Sequence, residues 1–361
     1  MRSRPLLALI ALACTLLGPL AAAAAPFTAG ERQLATTSPT AAVRNHGDPT
    51  LALIVWYPAT AAEQAVDIGP PNGPPLFIAG AVARNAAFAD SDRHPLVLIS
   101  HGFGGSARQM TWLGAALARH GYIAVAVNHP GSNGVTGLTD EGVSAPWERA
   151  ADLRAALDFV LASPDLAPHV DTARIGVAGF SLGGFTSLLE AGARPDFARF
   201  LAFCDGPHRD AICNPQLEYP LDFHRQAAVL AQPDMAPLAA DETADFRDPR
   251  IKAAFLIAPA VIEGLDPASL RRIAIPVSIV LGSGDPIAPP ATNGELAARL
   301  IPGARLRVLP GVGHYDFLSE CGPASFKNVA SYCVDGAGTH RAQTHAAAEA
   351  AAVAFFDRAL Q

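Results

Sequence analysis

No run of lysine or arginine occurs in these 361 residues, and the formal net charge is −7. A phosphate backbone therefore finds nothing to bind, which excludes nucleic acid as a partner. There is no Cys-x-x-Cys, and no histidine pair stands near the cysteines at ligand spacing. A structural metal is disfavoured, and nothing implies a metal or an organic cofactor. Beyond Leu20 no apolar run is long enough to span a bilayer. An internal repeat and a second core are also missing. With hydrophobic residues at 50%, the chain is read as one domain with a sizeable core.

The N-terminus has its own pattern. Arg2 and Arg4 precede an apolar run from Pro5 to Leu20, and Ala-x-Ala stands before Pro26. These are the parts of a secretory signal peptide over residues 1–25, so the mature protein is expected to be secreted or periplasmic and to run from 26 to 361. Cys14 raises a lipoprotein alternative, which Ala11-Leu12-Ala13 fits poorly. Cys204, Cys213, Cys321 and Cys333 remain. An even number in an exported chain suggests two disulfides, and close spacing favours Cys204 with Cys213 and Cys321 with Cys333 among three possible connectivities.

Strands and helices then alternate. Phe27 to Ala62 reads as an antiparallel entry with a turn at His46-Gly47-Asp48-Pro49, and Gly69 to Pro75 as a plain connecting loop. His94 to Ser100 and Tyr122 to Val127 are buried strands around a helix from Met110 to His120, capped by Ser106 and ended by Gly121. A helix from Glu148 to Leu161 and a strand from Arg174 to Ala178 follow. The rhythm breaks over about residues 195–251 and resumes with strands Ala253 to Ala258, Pro276 to Leu281 and Arg305 to Leu309. An Ala-rich helix from Arg341 to Leu360 closes the chain. This order predicts an α/β fold, a mostly parallel twisted sheet with helices on both faces. An insertion at the carboxyl end of such a sheet is expected to be a lid or pocket wall.

The chemistry centres on Gly179-Phe180-Ser181-Leu182-Gly183, at a strand-to-helix join. Gly-x-Ser-x-Gly there is a nucleophile elbow, with Ser181 at its tip. A serine nucleophile needs a base, a carboxylate to orient that base, and donors for the oxyanion. His314, after the last strand, and Asp285, after the strand before it, complete the order Ser, Asp, His. Asp205, after the apolar run Phe200 to Phe203, is a rival carboxylate, but it sits in the insertion. The backbone N–H groups of Phe103, in His101-Gly102-Phe103-Gly104-Gly105, and of Leu182 are the expected oxyanion donors.

These pieces, with Val55-Trp56-Tyr57-Pro58-Ala59, His129-Pro130-Gly131 and Gly313-His314-Tyr315-Asp316-Phe317, make the chain resemble an α/β-hydrolase of the dienelactone hydrolase-like bacterial group. That group is related to platelet-activating-factor acetylhydrolases and to secreted polyesterases. Two departures count. Dienelactone hydrolases carry a cysteine nucleophile where this chain has Ser181. The acetylhydrolases place their acid after the strand corresponding to Ala253 to Ala258, where this chain has Ala258-Pro259-Ala260, leaving the role to Asp285. The resemblance implies an α/β-hydrolase fold with a lid-like insertion, and a serine esterase that cleaves carboxylic esters through an acyl-enzyme, on small-molecule, lipid or polymeric substrates. A lipid esterase of the acetylhydrolase type, a polyesterase or cutinase-like enzyme, and a catalytically silent binding protein stay open beside it.

Overall fold

The computed structural model describes residues 27–70 and 72–361. The leader expected over 1–25, with Cys14, lies outside the described residues. The strands of the main sheet are β1 Thr28–Thr37, β2 Thr50–Ala59, β3 Gln64–Ile68, β4 Phe77–Arg84, β5 His94–Ser100, β6 Ile123–Val127, β7 Val170–Phe180, β8 Ile251–Ile257, β9 Val277–Gly282, β10 Arg305–Leu309 and β11 Glu320–Cys321. They form one sheet in the order β10-β9-β8-β7-β5-β6-β2-β1-β4-β11, with β3 also pairing β4. From β6 to β10 every pairing is parallel, and β2 joins that block antiparallel to β6.

The central strands are apolar where both faces are covered, as in the second half of β7, whereas Asp171 to Arg174 near its start are polar or exposed. In β5, Leu96 and Leu98 enter one core while Val97 and Ile99 enter the other. Helices α1 Thr111–Arg119, α2 Arg149–Ala162, α3 Leu182–Glu190, α4 Phe197–Asp205, α5 Phe223–Leu230, α6 Gly294–Leu300 and α7 Arg341–Ala359 complete the layers. Residues of α2 and α3 (Leu153, Leu157, Phe185, Leu188) fill the first core, and Trp112, Leu113, Phe355 and Phe356 of α1 and α7 fill the second. The expected cap of the α1 segment is present. Ser106 Oγ accepts from the Gln109 N–H at 3.3 Å, and Gly121, at φ +88°, turns the chain out of the helix.

Two parts of the sequence reading gain elements. The loop over Gly69 to Pro75 connects β3 and β4, two strands missing from the expected set. The stretch 195–251 holds α4, α5, a further short helix over Ala236–Ala240 and short 3₁₀ turns, and the aromatic residues Phe197, Phe200 and Phe223 join the first core.

Both expected disulfides are formed, Cys204 to Cys213 and Cys321 to Cys333. The first closes a loop within the insertion. The second ties β11, just after His314, to the approach to α7, where the Arg341 guanidinium donates to the Ser319 carbonyl at 2.9 Å. Replacing Cys321 and Cys333 together by serine is expected to lower unfolding free energy by about 2 to 3 kcal/mol in a denaturant titration, since the closed loop is short. An unchanged midpoint would leave this bridge without a stabilising role.

Candidate active site

At the end of β7 the chain reverses into α3 with Ser181 at φ 54° and ψ −118°. A non-glycine residue held there costs about 1 to 3 kcal/mol, so its neighbours must fix it. They do. The Ser181 N–H donates to the Ile257 carbonyl at 2.9 Å, and the Ser181 carbonyl accepts from Gly184 and Ala260 at 2.8 and 3.1 Å. The flanking glycines are needed for space, not for dihedral freedom. A Cβ on Gly179 would lie 2.0 Å from the Gly183 carbonyl oxygen, and one on Gly183 would lie 2.0 Å from that of Ser100.

The loops after β9 and β10 are zipped together. The N–H groups of Ser283 and Gly284 donate to the Leu309 and Val312 carbonyls at 3.0 Å each, and Gly311 N–H donates to Ser283 Oγ at 2.9 Å. This pairing brings Asp285 and His314 side by side at the sheet's carboxyl edge. His314 Nδ1 lies 2.6 Å from Asp285 Oδ2, and Nε2 lies 2.8 Å from Ser181 Oγ. A carboxylate only accepts, so Nδ1 carries the proton and Nε2 is free to take one from the hydroxyl. All three residues are buried. The other oxygen of Asp285 accepts from the Ile287 and Ala288 N–H groups at 2.9 and 2.8 Å. One carboxylate thus holds both its own turn and the ring.

Asp205, the rival, lies elsewhere: its carboxylate is 56% exposed and pairs with His224 at 3.1 Å inside the insertion. Phe103 and Leu182 flank Ser181 in one cavity, and neither N–H has an acceptor among the described residues. A Cβ on Gly102 would sit 3.4 Å from that of Ser181, so the loop runs directly against the elbow.

The cavity above Ser181, about 120 Å³, is lined mainly by apolar side chains. The insertion supplies one wall through Phe197, Phe200, Ile212 and Phe223. It also brings Glu218 over Gly104, where Tyr315 OH donates to its carboxylate at 3.1 Å. Burial raises the Glu218 carboxyl above its ordinary range.

Sequence reasoning missed the supports. Asp316 is buried and accepts from the Gly313 and Gly336 N–H groups and from Thr339 Oγ1, pinning the His314 turn. It stands two residues from His314, the one signal that could have found it. At the far end of α3, Glu190 is buried with both carboxylate oxygens unpartnered among the described residues. Burial, then the charge of Asp248, pushes its carboxyl well above the usual range. The folded chain holds a proton that the unfolded chain gives up, so stability falls as pH climbs past the ordinary glutamate range. Glu190→Gln should therefore raise the Tm near pH 8 and lose that advantage below about pH 4. A variant that melts lower than wild type at both pH values would contradict this.

Residues 96–323 match the sequence profile of the alpha/beta hydrolase family. Cutinase est1 of Thermobifida alba is 32% identical over 109 residues, 30% of this chain and 33% of that protein. The bis(hydroxyethyl) terephthalate hydrolase of Streptomyces coelicolor is 30% identical over 99 residues, 27% of this chain and 29% of its own length. The chain spans about a third of the length of the curated relatives it matches. A ferulic acid esterase from Streptomyces cinnamoneus superposes with a TM-score of 0.60 at 21% identity, over 93% of this chain and 90% of that one. At that identity the likeness is one of fold.

Proposed function

The chain belongs to the alpha/beta hydrolase family, and from that premise we propose that it is an exported serine esterase. Ser181 attacks the ester carbonyl, His314 takes its proton and later returns one to the leaving alcohol, and Asp285 orients the ring and stabilises it when charged. The Phe103 and Leu182 N–H groups hold the tetrahedral oxyanion. Water then releases the acyl group by the same steps. The observation that carries this reading is the unbroken chain from Ser181 Oγ through His314 to Asp285, opening on an apolar cavity.

The finer reading is of an enzyme close to the polyester-cleaving esterases, with residues 26–361 as a single domain and 195–251 as its cap. Its supports are the partial matches to the cutinase and the terephthalate ester hydrolase, and the aromatic wall that the insertion gives the cavity. Export is supported by the two disulfides. The test is a panel of p-nitrophenyl esters from acetate to palmitate. Best turnover on short acyl groups is expected. A preference for the longest chains would favour a lipid esterase of the acetylhydrolase type, and no turnover on any member would contradict the esterase reading.

A further inference from the structure

Arg149, the first residue of α2, is fully buried. Its guanidinium reaches the two segments that flank Ser181, one at the backbone and the other through a threonine hydroxyl. Nη2 donates to the His101 carbonyl, in the loop that carries Phe103, and to Ser100 Oγ at 3.3 Å. Nε donates to Thr186 Oγ1 at 3.2 Å, and that hydroxyl donates onward to the Leu182 carbonyl at 3.1 Å. Nη1 donates to Ser132 Oγ at 3.0 Å. One planar group thus links the two segments whose N–H groups are the proposed oxyanion donors.

Every one of those acceptors is neutral. The nearby carboxylate, Asp152, is already taken by Arg44 at 2.6 and 3.0 Å, by Ser38 Oγ at 2.6 Å and by His129 Nδ1 at 2.9 Å. His129 Nε2 in turn lies 2.9 Å from Ser100 Oγ, and His101 Nε2 accepts from the His129 N–H at 3.2 Å. Burial, followed by the charge of Arg149, drives His129 down to about 3 and holds His101 well below the usual imidazole range. Both rings are neutral, and Asp152 is ion-paired with Arg44. Among the described residues Arg149 has no carboxylate within salt-bridge distance, and Asp152 acts on it only from farther away.

A buried guanidinium without a salt-bridge partner among the described residues is a costly way to fill space, since a neutral side chain of similar size would pack there without the loss of hydration. Its geometry gives a reason. We propose that Arg149 is a positioning residue for the oxyanion hole, fixing the 101–103 loop and the 182–186 turn at the spacing that the tetrahedral oxyanion requires and lending that oxyanion a buried positive charge. The proposal rests on the serine-esterase reading above. Preorganised donors and fixed charge act on the transition state more than on the ground state, so the effect belongs in kcat rather than in KM.

The experiment compares wild type with Arg149→Met, Arg149→Lys and Thr186→Val. Turnover of p-nitrophenyl butyrate is measured beside calorimetric titration with a phenylalkyl boronic acid, which forms an anionic tetrahedral adduct on serine, and with the matching neutral carboxamide. Arg149→Met is expected to lower kcat by about 10²-fold with KM held within about threefold, and to weaken the boronate by a similar factor while the carboxamide is little changed. Arg149→Lys, which keeps the charge but not the fork, should recover part of the loss. Thr186→Val removes only one strut and should cost about tenfold in kcat, which keeps the idea open to refutation if Arg149→Met does not fold. Equal weakening of boronate and carboxamide, or a Thr186→Val enzyme with unchanged kcat, would overturn the proposal. Calorimetry needs no turnover. A wild type that prefers the boronate but cleaves no ester would count against the esterase reading, and this proposal would then stand if Arg149→Met loses that preference and fall if it keeps it, whereas no boronate preference in wild type would overturn this proposal.

Discussion

Ser181→Ala, His314→Ala and the double variant are each expected to lose esterase kcat by on the order of 10⁴ to 10⁶, with the double no worse than the worse single. The reason lies in the geometry. His314 Nε2 is 2.8 Å from Ser181 Oγ, and in the proposed triad the ring acts on the rate by taking the proton from that hydroxyl. Without the ring the hydroxyl is a weak nucleophile, and without the hydroxyl the ring has no proton to take. Residual rate in each variant is then expected to come from the proposed oxyanion donors and from substrate binding, which are the same in all of them. Losses that multiply would mean that two independent groups are at work, and the proposed triad would be wrong.

The second large effect separates two carboxylates. Asp285→Asn is expected to lower kcat by roughly 10⁴ while the fold is kept, and Asp205→Asn to change it by less than about tenfold. In the Asp285 variant the amide oxygen can still accept from the Ile287 and Ala288 N–H groups, so the turn survives. What is lost is the acceptor facing His314 Nδ1. An amide NH₂ set there favours the tautomer with the proton on Nε2, the one that cannot take a proton from serine. Asp205 has no such role to lose, because its exposed pair with His224 lies within the insertion. Matched melting curves with the reverse ranking of kcat would reassign the acid.

How much of the fold and the site is legible in the sequence follows from what each residue touches. Strands β5, β6, β8 and β9 and the second half of β7 announce themselves as largely apolar runs because both faces are covered there, and the loops at their carboxyl ends can be read off in order. That order singles out Ser181, Asp285 and His314 as candidates, and the zipped loops after β9 and β10 explain why residues 29 apart in sequence meet. Strands β3 and β4 are hidden because Gln64–Ile68 and Phe77–Arg84 are only partly buried and are interrupted by alanine and by Gly80. The insertion reads poorly for a related reason: its helices are short and their apolar residues face a cavity as well as the core. Arg149 is invisible in the sequence. A basic residue at the start of an amphipathic helix looks solvated, and its acceptors at His101, Ser132 and Thr186 come from three other places in the chain. Asp316 stands in plain view within Gly-His-Tyr-Asp-Phe, yet only its partners at Gly336 and Thr339 reveal what it holds.

The central claim is that Ser181 becomes covalently acylated, and labelling tests it most directly. Protein treated with a fluorophosphonate and examined by intact-mass and peptide mass spectrometry should carry a single adduct on the peptide containing Ser181. The Ser181→Ala protein should carry none, and His314→Ala should label far more slowly. No adduct on folded wild-type protein, or an adduct that persists in Ser181→Ala, would contradict the account.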